Sequence, residues 1–241
     1  MRKYNWLLIL LLPAMVSCHE FMGKRIRGNG NTKTEERTVS SFKNVEVSGA
    51  FNVFVSQGAL APVKIEGDEN LLGYIEVLQE GDRIIVRTRH GFNLSPSAEI
   101  NIYVTAPVYS DIDVSGACNI TGQTKINNSE DLALHVSGAG NIKMEVDAPS
   151  LKAEVSGSGA IDLKGQTKDV DLEITGAGHA HCFDLLSENT KVDITGAGDA
   201  EVYASVKLDA DLTGAGSVKY KGNASNVNQH VGGAGSVRKV E

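Results

Sequence analysis

A seven-residue phrase returns down the second half of the chain at nearly constant spacing, and few folds can accept that. It reads Val114-Ser115-Gly116-Ala117-Cys118-Asn119-Ile120, then V-S-G-A-G-N-I at 136–142 and V-S-G-S-G-A-I at 155–161. I-T-G-A-G-H-A follows at 174–180, I-T-G-A-G-D-A at 194–200, L-T-G-A-G-S-V at 212–218 and V-G-G-A-G-S-V at 231–237. The leading glycines are Gly116, Gly138, Gly157, Gly176, Gly196, Gly214 and Gly233, in steps of 22, 19, 19, 20, 18 and 19. A looser copy, V-S-G-A-F-N-V, stands at 47–53. Self-similarity at a fixed short period is the mark of a repeat architecture in which each unit packs on the next.

Within each unit the apolar residues alternate with period two, as in strands. Two residues before each leading glycine stand Val114, Val136, Val155, Ile174, Ile194, Leu212 and Val231; four after it stand Ile120, Ile142, Ile161, Ala180, Ala200, Val218 and Val237. Each period therefore reads as a strand, a glycine turn, a second strand and a looser return. About 19 residues leave no room for a crossover helix in every unit. Short strands of successive units can instead stack roughly 4.8 Å apart, so that aliphatic ladders line the inside and polar ladders the outside. The expected fold is all-β, a right-handed parallel β-helix or solenoid of two-strand coils. Its rival is an antiparallel meander or propeller with one hairpin per period. The seven glycines are then structural corners, placed where φ turns positive and where a Cβ would collide between coils.

Residues 38–107 are β-rich without the strict motif, with strands expected over 51–56, 63–66, 74–77, 83–88 and 99–105 and a hairpin turn at Glu80-Gly81-Asp82. Terminal units of a stack are usually atypical, so 38–107 reads as a cap with the first coils and 108–241 as the regular repeats. No cap is visible after the last motif, so the final coil is an expected edge for self-association.

The N-terminus sets the expected compartment. Arg2 and Lys3 precede an apolar run from Trp6 to Leu12, and Met15-Val16-Ser17-Cys18 follows. Charged, apolar, then small residues is the order of a secretory signal, and the run is far short of the roughly 20 residues that span a bilayer. The tetrad resembles a bacterial lipobox, so 1–17 is read as a lipoprotein signal peptide and Cys18 as the lipidated residue, anchoring the chain at the outer membrane. Residues 18–37, with Lys24-Arg25-Ile26-Arg27-Gly28-Asn29-Gly30-Asn31, read as a flexible polar tether. The net charge of −7 argues against a nucleic-acid partner. Beyond Cys18 only Cys118 and Cys182 remain; three coils of roughly 4.8 Å keep them apart, and no disulfide is expected between them.

The segments R-T-V-S-S-F-K-N-V-E-V-S-G-A-F-N-V-F-V-S-Q-G at 37–58 and V-K-I-E-G-D-E-N-L-L at 63–72 resemble the opening of the head GIN domain, a family described as "putative auto-transporter adhesin" and abundant in exported proteins of Bacteroidota. The later S-G-A-G-N-I and T-G-A-G phrases resemble its C-terminal half. The resemblance covers about 38–240. It implies an envelope-associated β-helical protein and transfers no catalytic residues. Cys118 stands where the pattern has a glycine, so that corner is expected to turn differently.

Parallel β-helices also serve as glycan-cleaving enzymes, and paired acids are what such chemistry needs. Asp111-x-Asp113, Asp171-x-Glu173 and Asp209-x-Asp211 share two phases, and a glycosidase needs two carboxylates about 5–10 Å apart. The coils between them carry Ala133/His135, Lys152/Glu154 and Lys191/Asp193, which reads as a solvated stripe of mixed sign; stacked acids bridged by Ca²⁺ are the other reading. His179 and His181, with Asp199 and Glu201 one coil later, are the candidate metal ligands. No catalytic residue and no cofactor is expected. The functional expectation is a non-catalytic envelope adhesin or scaffold presenting its surface to glycan or protein, with a glycan-active lyase or hydrolase as the alternative.

Overall fold

The computed structural model describes residues 23–241; the expected signal segment 1–17 and the lipidation residue Cys18 lie outside them. The first part of the chain forms β1 (Lys24–Arg27), β2 (Thr32–Arg37), β3 (Asn44–Gly49), β4 (Asn52–Gln57), β5 (Val63–Asp68), the single-turn α1 (Glu69–Leu72), β6 (Ile75–Glu80), β7 (Arg83–Thr88), β8 (Phe92–Ser95) and β9 (Asn101–Ala106). The column continues as β10 (Asp111–Gly116), β11 (Asn119–Gly122), β12 (Ile126–Asn127), β13 (Leu132–Gly138), β14 (Asn141–Gly157), β15 (Ala160–Gly176) and β16 (His179–Gly196). It ends with β17 (Asp199–Tyr203), β18 (Lys207–Gly214), β19 (Ser217–Lys221), β20 (Asn226–Gly233) and β21 (Ser236–Lys239).

Like stacks on like. Val114 pairs with Val136 and Gly116 with Gly138; Val136 pairs with Val155, Val155 with Ile174 and Ile174 with Ile194, all in parallel strands. The antiparallel rival is thereby excluded. These residues, with Ile112, Leu134, Leu172, Val192, Ile142 and Ile161, are buried in one continuous core. The reason is the period of two: every second side chain points into the coil, and the coils above and below cover it. In the middle coils the two expected strands and their return fuse into single strands of 17–18 residues, β14, β15 and β16. The 20-residue step has a local cause, a register shift between β15 and β16 past Asp162 that admits one extra residue near Cys182 and Phe183. The 22-residue step comes from the loops flanking β12.

The glycine corners follow from two constraints acting at one position. Gly157 has φ +118°, and a Cβ there would lie 2.5 Å from the Gly138 carbonyl oxygen. That oxygen already accepts the Ser158 N–H at 2.8 Å, so it cannot retreat without giving up a bond between coils. Cys118 does not alter its corner. Asn119 N–H still bonds the Phe51 carbonyl and Asn141 N–H the Cys118 carbonyl, at 2.8 and 2.9 Å. Phe51 and Cys118 instead fill the interior of the wider early coils, both buried. From Gly140 onward a Cβ would run into the aliphatic side chain of the coil beneath, Val114 at 2.8 Å in the case of Gly140.

Two features of the cap lie beyond what local sequence shows. The coils are not stacked in chain order. β3 lies between β7 and β10, and β4 between β9 and β11, so the copy at 47–53 is second in the column and residues 83–106 form the coil beneath it. Tyr109, wholly buried, pins the chain as it steps across: its hydroxyl accepts the Ala106 N–H at 2.9 Å and donates to the Ser56 carbonyl at 2.8 Å. The far side is closed by antiparallel β6 on β7 and by β5 on β9, with β2 on β5.

The second concerns the tether. Residues 24–27 and 32–37 are strands: β1 pairs in parallel with β8, and β2 is antiparallel to β5. The cause is Asp68, 1% exposed. Its carboxylate accepts the Gly30 N–H at 2.7 Å, the Ser97 N–H at 2.8 Å and the Ser97 hydroxyl. The Ser97 hydroxyl above all, then its N–H, hold the Asp68 pKa below the ordinary value despite burial. Asn70 adds a bond from its amide to the Arg27 carbonyl at 2.8 Å. A polar, glycine-rich segment with nothing apolar to bury is thus held down by one buried carboxylate and one amide. At the opposite end, β20 pairs only with β18 among the described residues, and all eight of its residues are exposed.

Candidate contact surface

Because successive coils are in register, each outward phase of the repeat becomes a column. Two faces carry chemistry, one before the corner and one after it. The first is acidic. Glu46, Asp113, His135, Glu154, Glu173, Asp193, Asp211 and His230 stand above one another through seven consecutive pairings. The column two residues earlier supplies counter-charge: Lys152 reaches Glu154 at 2.5 Å, and Lys191 reaches Asp193 at 2.5 Å and Asp171 at 3.6 Å. Arg83 spans Glu46 and Asp111 at 3.1 and 3.2 Å. His135 lies 2.9 Å from Glu154 and 3.6 Å from Asp111. Of the candidate acids, Asp111, Asp171 and Asp209 are thus engaged by neighbouring cations, whereas Asp113, Glu173 and Asp211 form no ion pair among the described residues. Asp113 stands apart: burial first, then Glu46, raises its pKa.

The second face holds the candidate metal ligands. His179 pairs with Asp199 and His181 with Glu201 in register, at 3.6 and 3.2 Å. The two carboxylates are drawn away from a common point. Asp199 accepts the Ser217 hydroxyl at 2.5 Å and Glu201 the Lys219 ammonium at 3.0 Å. Burial raises the Glu201 pKa, but hydrogen bonds from Lys219 and His181 outweigh it and the net shift is downward. Among the described residues no group of three or more His, Cys, Asp and Glu is placed to hold a metal ion. The four residues make two histidine–carboxylate contacts side by side.

Towards the cap the same face, continuous through Ala160 and Asp162, carries a further set of side chains. Asn101, Asn52, Asn119 and Asn141 stack in consecutive coils. Each amide donates to the next: Asn141 to Asn119 at 2.8 Å, Asn119 to Asn52 at 3.3 Å and Asn52 to Asn101 at 3.5 Å. Asn52 also donates to Glu99 at 3.0 Å. Two residues along the same face, the Phe54 and Tyr103 rings stack with centroids 5.1 Å apart and planes 20° apart, with the Lys64 ammonium 4.3 Å from the Tyr103 centroid. Thr121 sits over Phe54. The result is a patch of amides, a hydroxyl and aromatic rings, bordered by Glu99 and Lys64 and spaced by the backbone ladder beneath it. The signal was present in the sequence: Asn follows the corner in the copies at 47–53, 114–120 and 136–142. Asn101 could not be found that way, because its coil lacks the motif.

Among the described residues no helix is long and apolar enough to cross a membrane. Cys118 and Cys182 are free and buried.

Comparison with known proteins gives the following. The family model described as "Putative auto-transporter adhesin, head GIN domain" matches residues 41–224. A structure described as a "putative adhesin" from Bacteroides fragilis is 20% identical, with a TM-score of 0.85 over 89% of this chain and 100% of that one. A "putative lipid binding protein" from Parabacteroides distasonis is 24% identical, with a TM-score of 0.75 over 90% of this chain and 100% of the other. A "putative adhesin" from Parabacteroides merdae is 21% identical, with a TM-score of 0.70 and the same coverages. At these identities the likeness is one of fold. No curated protein matches the chain.

Proposed function

Because the chain belongs to the head GIN domain family, we propose that it is a non-catalytic adhesion or scaffold protein of the cell envelope that binds glycan along its outer columns. In this reading the signal segment exports the chain and Cys18 carries the lipid that holds it at the outer membrane. The observation that carries the ligand class is the asparagine and aromatic column. Amides offer paired donors and acceptors to sugar hydroxyls, and the outward edges of the half-buried Phe54 and Tyr103 rings add apolar surface beside them, the usual blend of a few placed polar groups with aromatic surface. The adhesin-like names of the family and of two structural neighbours support the same reading.

A preformed ladder is well suited to this task. Its side chains are already ordered by their neighbours, so less rotamer freedom remains to be lost on binding. The test is a glycan array probed with the chain from His19 onward, beside the Asn119→Ala/Asn141→Ala double variant. Binding to neutral glycans that falls at least about tenfold in the variant, roughly the 1.4 kcal/mol of one or two hydrogen bonds, supports the proposal. Binding unchanged in the variant removes the column from it, and capture of protein ligands alone moves the ligand class. Release of shorter saccharides would replace adhesion with glycan cleavage, and Asp113 would then be the first acid to substitute.

A further inference from the structure

The strand pair β1–β8 presents cations that form no ion pair among the described residues. Its four-residue partners read Lys24-Arg25-Ile26-Arg27 and Phe92-Asn93-Leu94-Ser95, three cations and no acid. Ile26 and Leu94 pair in register and pack against the core. The alternation therefore turns Arg25 and Arg27 to the opposite face, beside their register partners Asn93 and Ser95. The two guanidinium groups line a recess with Ser95, Pro96 and Ser97, and Arg25 donates to the Ser95 hydroxyl at 2.8 Å. Among the described residues neither arginine forms an ion pair, whereas Lys33, Arg37, Lys43, Arg83, Arg87 and Arg89 all do. A protein of net charge −7 thus holds a cationic face open at its cap.

The face is also rigid. It is locked to the cap by the Asp68 and Asn70 bonds described above, so its arginines are presented at fixed spacing. It lies six residues after Cys18, a reach of at most about 20 Å of extended chain. A guanidinium fork fits a phosphate oxygen pair in a way that a lysine ammonium does not. Charge, geometry and distance along the chain select the same partner.

We propose that the outer face of the β1–β8 sheet is a membrane-docking surface that seats on the phosphates of anionic lipid headgroups. The column then meets the bilayer with its cap. This rests on the envelope reading above and adds to it an orientation: the C-terminal coils point away from the lipid. The acidic column would be repelled by the same surface, so one face of the cap is favoured over the flanks of the stack.

The experiment is sedimentation of the unlipidated chain from His19 onward with phosphatidylcholine vesicles, with and without 30 mol% phosphatidylglycerol, at low and at physiological salt. Binding should require phosphatidylglycerol and weaken with salt. Arg25→Gln/Arg27→Gln should lose about 30-fold in partitioning, on about tenfold per 1.4 kcal/mol and about 1 kcal/mol per cation near such a surface. Arg238→Gln/Lys239→Gln, an equal charge change on β21 at the far end of the column, should lose little. Equal losses in the two variants would reduce the effect to bulk charge and overturn the proposal, as would binding without preference for phosphatidylglycerol. Both substitutions lie on exposed side chains, and an unchanged circular dichroism melt confirms the fold. Glycan binding unaffected by Arg25→Gln/Arg27→Gln keeps the two proposals separable, since either can fail while the other stands.

Discussion

Replacing Gly157 by alanine tests the corner in the middle of the column. Two costs add there. At φ +118° an L-residue sits outside the left-handed helical region, at about 3 kcal/mol, the upper end for backbone strain. The new Cβ would also stand 2.5 Å from the Gly138 carbonyl oxygen, and moving that oxygen weakens its bond from Ser158 by about 1 kcal/mol. The sum is about 4 kcal/mol. Gly81→Ala is the matched control. Its φ of +62° also favours glycine, but nothing lies within 4 Å of the added methyl, so the cost is about 1 kcal/mol. For a domain of this size 1 kcal/mol moves Tm by about 2–4 °C. Thermal denaturation followed by circular dichroism should therefore drop by about 8–16 °C for Gly157→Ala and by about 2–4 °C for Gly81→Ala. Equal drops would show that the corners need glycine only for its torsion angles, and that stacking imposes no demand of its own.

Three further outcomes are expected. Burial pushes the Cys182 thiol up to about 12 and the Cys118 thiol up to about 11, so iodoacetamide at pH 8 should label neither residue in the native protein and both in urea, as counted by mass spectrometry; native labelling of Cys182 would contradict its burial. Asp113 has a raised folded-state pKa, which makes its ionised form a cost that appears as pH rises through that value; Asp113→Asn should raise Tm at pH 7 by the equivalent of up to about 1 kcal/mol, with the gain vanishing below the ordinary carboxyl value of 3.8. Asp68 has a lowered pKa, so its contribution is present at neutral pH and lost on acidification; Asp68→Asn should cost about 2–3 kcal/mol, with hydrogen exchange accelerating first at Gly30 and Ser97, and uniform acceleration throughout the column would refute the local role.

The column was legible because one short rule repeats. Val136, Val155 and Ile174 share a phase in sequence, and a parallel stack is what brings equal phases together. The Asn column was legible in part, from the three motif copies that carry it. The tether was misread because its folding depends on Asp68, forty residues away from β1, and on Ser97, nearly thirty residues further on; local composition carries no trace of such a knot. The order of the first coils was hidden for a related reason. Val45 and Val47 need apolar neighbours on both sides, and nothing in 41–57 says that Ile84 and Val86 supply one side while Ile112 and Val114 supply the other. The candidate metal ligands were correctly placed in adjacent coils, yet spacing alone could not say that Ser217 and Lys219 engage Asp199 and Glu201 from the next coil.

The interleaved start divides the molecule into a part assembled all at once and a part assembled piecemeal. Residues 44–57 cannot complete their pairing until the chain has been made as far as Gly122, because one neighbour comes from 83–106 and the other from 111–122. Beyond that point each 19-residue unit needs only its predecessor. Height is therefore an adjustable property of this architecture. Units can be gained or lost above Gly138, each changing the reach by about 4.8 Å, while the foundation on which they stand is fixed by a chain crossing that tolerates no deletion.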